Sequence, residues 1–247
     1  MNTFSRTGVL AFIIMMWSTL SWGSADPLVS HLQATAKTMS ALYMKSLTHG
    51  SDKYQRDVEA YKAEASQALQ QWVESGDSQA ASFSAKWTSL APVVMVEYTE
   101  KYEWDVDEVT RRDFRTYLSD LFAYANGLQS RFETTSLKSQ WASAQVDTMV
   151  ARFFDISTSY NGTISLSPLD AEKVNLKVIA AEFQNNMDYL GKLQPERKKS
   201  LDSALFKWRF VEESVVNYSD ASAHFLVYAT TNKIRQALSQ NLQVSAN

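Results

Sequence analysis

Apolar residues recur at intervals of three and four along most of this chain, the spacing that lays one apolar stripe on a helix and leaves its other faces polar. Tyr54, Val58, Tyr61, Ala65, Ala68 and Trp72 form one such stripe. Phe114, Tyr117, Leu121, Leu128 and Phe132 form a second, and Leu201, Leu205, Trp208, Val211, Val215 and Tyr218 a third. The one stretch with strand-like alternation, Thr163-Ile164-Ser165-Leu166, is too short to carry a sheet. The pattern predicts an all-α protein.

Glycine, proline and capping residues divide the pattern into eight predicted helices. Helix one opens at Pro27 behind Asp26 and closes at Thr48-His49-Gly50. Helix two runs from a Ser51 cap to Ser75, with Gly76 as a left-handed stop. Asp77 caps helix three, which Pro92 kinks and which ends near Tyr102; helix four runs from Asp107 to Thr134. Ser136 caps helix five, which ends at Asn161-Gly162. Helix six starts at Ser167-Pro168 and is stopped by Gly191 near Leu190. Helix seven spans Pro195 to Asn217, and helix eight Asp220 to Leu242.

The two halves share this order. Thr38-Met39-Ser40-Ala41 with Tyr43 matches Thr148-Met149-Val150-Ala151 with Phe153, and Lys86-Trp87 matches Lys207-Trp208. A shift of roughly 110 to 120 residues relates them, so two related four-helix units are expected, residues 26–135 and 136–247, stacked in tandem or merged.

The N terminus changes the picture. Arg6 precedes an apolar run from Val9 to Leu20, too short for the roughly 20 residues that span a bilayer, and Gly23-Ser24-Ala25 supplies small residues for cleavage. Residues 1–25 therefore read as a signal peptide and the chain as periplasmic or secreted in a bacterial envelope; Trp17 and Trp22 at a membrane interface are the reading for an uncleaved anchor. There is no cysteine, so neither disulfides nor a cysteine-linked lipid are available. Without Arg6 the remaining chain holds 23 Lys and Arg against 27 Asp and Glu, a net charge of −4. That balance argues against nucleic-acid binding. The two dense basic runs, Arg111-Arg112 with Arg115 and Arg197-Lys198-Lys199, are expected on solvated helix faces.

Candidate chemistry is sparse. The three histidines, His31, His49 and His224, fall on different segments with no partner at metal-ligand spacing, so no metal or other cofactor is expected. No nucleophile motif, phosphate loop or convergent carboxylate pair occurs, and a non-enzymatic protein is expected. The binding candidates are Arg152, between Val150 and Phe153, and Arg209, between Trp208 and Phe210. A guanidinium at the apolar side of a bundle can hold a small carboxylate or nitrate-like anion; the plainer expectation is that each stem lies along apolar surface while its head meets an acid or water. Trp87 and Trp208 are candidate ligand contacts or, more plainly, core anchors, and Tyr98, Tyr102 and Trp104 a candidate partner patch.

Thr38 to Lys45, a following glycine, and a helix ending in Leu69 and Trp72 resemble the helical sensory region of type IV pilus methyl-accepting chemotaxis transducers, a region related to the periplasmic domain of nitrate/nitrite sensor kinases. Leu205-Phe206-Lys207-Trp208, Phe225-Leu226-Val227 and the Ile234, Leu238 pair are similar to the later helices of those regions. The resemblance implies a sensor-like domain that binds a small anion or an envelope protein, with a homodimer as a possible state. The arginines that such domains place in the first helix have no counterpart in Thr38-Met39-Ser40-Ala41. The alternative function is a structural or assembly factor acting through exposed helix faces.

Overall fold

The computed structural model describes residues 25–100, 103–160, 162–218 and 221–239. The apolar segment Val9 to Leu20, Tyr102, Asn161 and the two proposed limits of helix eight lie outside them. The described residues are all-helical, without a β-strand; one isolated bridge joins Thr99 and Glu103. Nine α-helices follow in order: α1 (Pro27–Leu47), α2 (Asp52–Glu74), α3 (Ala80–Leu90), α4 (Glu108–Gly127), α5 (Thr135–Ser157), α6 (Pro168–Lys173), α7 (Leu176–Leu193), α8 (Lys198–Asn217) and α9 (His224–Ser239). None of them is long and apolar enough to cross a membrane.

Local chemistry sets these limits. Asp26 accepts from the Leu28 and Val29 amides, and Asp107 from those of Val109 and Thr110, so both helices start on a carboxylate cap. Helix three is shorter than its spacing predicts: it stops at Leu90, and Pro92, which has no amide hydrogen to continue the ladder, ends the helix and does not kink it. Val94 and Val96 beyond it are buried while Val93 and Met95 face outward. Helix four ends at Gly127, ahead of the expected Thr134, and a 3-10 turn carries Phe132 back onto Trp141, 5.3 Å between ring centroids. Thr134 caps α5 in place of Ser136, and α5 ends at Ser157. The sixth predicted helix is broken in two, because Val174 leaves the helical conformation (φ −123°, ψ 69°) and the Asn175 side chain caps a new start by accepting from the Val178 amide. Gly191 does not stop α7, which runs on to Leu193. Thr163 to Ser165 lie in a 3-10 turn.

Helices α1 and α5 are the centre of the fold. Both are buried nearly all round, and small residues such as Ala34, Ala36, Ser40 and Ala41 on α1 and Ala142, Ser143, Ala144 and Ala151 on α5 let neighbours approach closely. They run parallel: Gln140 donates to Ser30 Oγ (2.8 Å), Gln33 to Ser143 Oγ (2.7 Å) and Asp147 (2.9 Å), and Tyr43 to Asp155 (2.9 Å). Around α1 pack α2 and α4, with α3 between them; around α5 pack α7, α8 and α9. One apolar core takes in residues of all the helices from α1 to α5 and from α7 to α9.

Candidate functional site

The interior charge gathers where α5 ends and α4 begins. On α4, Arg111, Arg115 and Ser119 are spaced by four and share one face, which α1 and α5 cover. Arg111 and Arg115 are each 1% exposed, which corrects their expected place on a solvated face; Arg112 alone of that run points outward. Arg197 is likewise buried, donating to the Ala237 and Leu238 carbonyls.

Asp155 of α5 anchors this cluster. Arg115 clasps it with Nε at 2.5 Å and Nη2 at 3.1 Å, and the Tyr43 hydroxyl donates to it. Arg111 donates through Nη1 to the Asp155 carbonyl (2.8 Å) and Thr158 (3.1 Å), and through Nη2 to Asp105 (2.8 Å). Its guanidinium lies 4.5 Å over the Tyr43 ring. Burial works against both guanidinium charges, but their acidic neighbours prevail and raise the proton affinity of Arg111 and Arg115 above the ordinary arginine value. Burial, then Asp155, pushes the Tyr43 hydroxyl well above the usual tyrosine range. These groups satisfy one another.

Arg152 is different. It is 1% exposed; its Nη2 donates to Ser119 Oγ at 2.5 Å, while Nη1 has no hydrogen-bond partner. Among the described residues no carboxylate stands within ion-pair distance of it. Burial depresses its proton affinity, and Asp155, Tyr218 and Asp170 counteract that only in part. The head group neither reaches solvent nor pairs with an acid, so the plainer expectation for Arg152 is corrected. A guanidinium cannot escape by losing its proton, and a buried charge that Asp155 and Asp170 compensate only in part costs on the order of a few kcal/mol.

The other predicted residues do not join it. Arg209 is exposed on α8. Trp87 packs 5.4 Å from His31 and 5.5 Å from Tyr117, whereas Trp208 packs 5.5 Å from Phe183 in the other half, so both are core anchors. Tyr98 is exposed and 5.9 Å from the half-buried Trp104. Sequence reasoning missed Tyr43, Arg111, Arg115, Ser119 and Asp155; the signal was the spacing of four that puts Arg111 and Arg115 beside Phe114 and Leu118.

A second buried pair sits further down α5. Asp147 lies 2.8 Å from Arg235 Nε, whose N–H is not aligned along the contact, and it accepts from Gln33. Burial raises its pKa, against the pull of Arg235. Among the described residues a groove of about 330 Å³ opens between α1 and α2, lined by Gln33, Lys37, Glu64 and Gln71, and another of about 660 Å³ between α3 and α4. Neither is lined by Arg152. No group of three metal-binding side chains occurs among the described residues.

Comparison with known protein families, with curated proteins and with solved structures finds no match to this chain in any of the three.

Proposed function

We propose that this chain is an exported, non-enzymatic, sensor-like helical-bundle protein that binds a small anion against Arg152 and passes the binding on to an envelope partner, in a chemosensory or type IV pilus-linked system. The observation that carries this reading is the buried guanidinium of Arg152 with its unpartnered Nη1. A fold that keeps such a charge with no acid paired to it is less stable for it, and an anion supplies the missing compensation. Arg152 sits on the central helix α5 and bonds to Ser119 of α4, which packs against both central helices, so occupancy there bears on how the two halves pack. Export rests on Arg6 and the apolar run that follows it. The pilus link rests on the sequence resemblance around Thr38 to Lys45.

The test is a thermal-shift screen of residues 26–247 against nitrate, nitrite, small dicarboxylates and amino acids. A ligand at 100 times its Kd adds about 2.7 kcal/mol of stability. The expected result is a saturable rise in Tm that disappears in Arg152→Met and persists in Arg209→Ala. No shift across the panel, or a shift that survives in Arg152→Met, defeats the small-anion reading.

One observation favours the assembly-factor reading. Phe206 and Phe210, 74% and 68% exposed, stand one turn apart on the outer face of α8, opposite its buried stripe. Crosslinking through that face to an envelope protein, lost in a Phe206→Ser, Phe210→Ser double variant that still binds no anion, would favour it.

A further inference from the structure

The groove between α3 and α4 has Leu90, Val93 and Tyr117 along its apolar side, with Lys86, Arg112, Asp113 and Asp120 at its edges. Tyr117 links it to the interior. Its hydroxyl lies 2.6 Å from His31 Nε2 on α1, and His31 Nδ1 lies 2.8 Å from the Ala65 carbonyl on α2. A carbonyl only accepts, so Nδ1 carries the imidazole proton and the bare Nε2 accepts from Tyr117; the tautomer follows from the partners.

His31 is fully buried. Facing its ring are the Ala65 carbonyl and Trp72 from α2, Trp87 from α3 and Tyr117 from α4. Of these Tyr117 alone titrates, and burial lifts its pKa out of the accessible range. Of the charged side chains on the same helices, Lys37 pairs with Glu64, and Lys86 with Asp120, which Lys173 also holds. Burial, offset in part by the Ala65 carbonyl, pushes the His31 pKa down to about 4, with no contribution from a charged neighbour.

We propose that His31 is an acid-sensitive latch whose second proton reverses its hydrogen bond with Tyr117 and loosens α3 from α4, widening the groove between them. The step takes one proton from solvent onto Nε2 and makes or breaks no covalent bond. With Nε2 now a donor, Tyr117 must accept, and its own proton loses the 2.6 Å acceptor it had and is left with the marginal contact to the Phe83 carbonyl on α3, at 3.4 Å. That leaves a buried imidazolium walled by aromatic rings and a neutral carbonyl, with no acid to balance it. Trp87 of α3 stands edge-on to the His31 ring at 5.4 Å, so separation of α3 uncovers that side of the ring.

The chain has no cysteine, so spin labels can be placed cleanly through Ser89→Cys on α3 and Asp113→Cys on α4, two residues lining the groove. The inter-label distance is expected to widen reversibly between about pH 7 and about pH 4, with helix content by circular dichroism retained. The same labels in a His31→Gln background, where the amide keeps a donor toward Ala65 and an acceptor toward Tyr117, are expected to hold one distance throughout. An equal widening in both backgrounds overturns the latch. Should His31→Gln not fold, the ring protons of His31 in the unsubstituted chain decide by NMR: titration near the ordinary histidine value, or titration without any change in the label distance, also overturns it.

Discussion

Two residues on the central helices carry opposite burdens. His31 is stable only as a neutral group. Its folded pKa of about 4 lies below the ordinary 6.5, so the unfolded chain binds the proton first as pH falls. The stability that depends on neutral His31 is complete above about pH 6.5 and is lost progressively toward pH 4, about 3 kcal/mol in all. Urea unfolding across that range is expected to show this loss in the native sequence and a flatter profile in His31→Gln; parallel profiles would remove His31 as the cause. Asp155 carries the reverse burden, since removing its charge strands Arg115 beside Tyr43. Asp155→Asn is expected to cost about 3–5 kcal/mol, the penalty for breaking a buried pair from one side, and a loss under about 1 kcal/mol would mean that solvent reaches the cluster. The sequence displayed these residues but not their roles. Arg111 and Arg115 look like surface arginines because charge is read as exposure, and only the contact with α5 shows that their face is turned inward.

At the scale of elements, a helix that is half buried announces itself and one that is wholly buried does not. The stripe of α8, Leu201, Leu205, Trp208, Val211 and Val215, is buried as its spacing predicts, because its other side is polar. Helices α1 and α5 mix Ala, Ser and Thr with Leu, Met and Phe on every side, so no stripe marked them as the central pair. Helix ends were legible where a side chain enforces them, as at Asp26 and Asp107, and at Gly76, which follows the end of α2 with φ +81°; Gly191, read in the same way as a stop, lies inside α7. Two glycines make the contrast measurable. Gly50 has φ +85° and a Cβ there would stand 2.3–2.6 Å from the Trp104 ring, so Gly50→Ala is expected to cost about 1–3 kcal/mol. Gly191 lies inside α7 with open space beside it, so Gly191→Ala is expected to stabilise by about 0.5–1 kcal/mol. Thermal unfolding of the two variants checks both signs at once.

For the whole molecule, the parallel α1 and α5 pair decides what can stand alone. Residues 26–135 by themselves leave uncovered the side of α1 that holds Gln33 and Tyr43 against α5, so that half is expected to lose fixed tertiary packing, seen as a lost near-ultraviolet dichroism signal with helix retained. A cooperative, well-packed half would show that the two halves are independent. The proposed anion site rests on the buried Arg152 guanidinium and its unpartnered Nη1. The most direct measurement is the unfolding free energy of Arg152→Met against the native sequence in buffer free of small oxyanions. Replacing a buried, unpaired guanidinium by a side chain of similar volume is expected to raise stability by about 1–3 kcal/mol, with the anion-dependent gain confined to the native sequence. A fall in stability would contradict the account, because it would mean that Arg152 is already satisfied inside the fold and awaits no ligand.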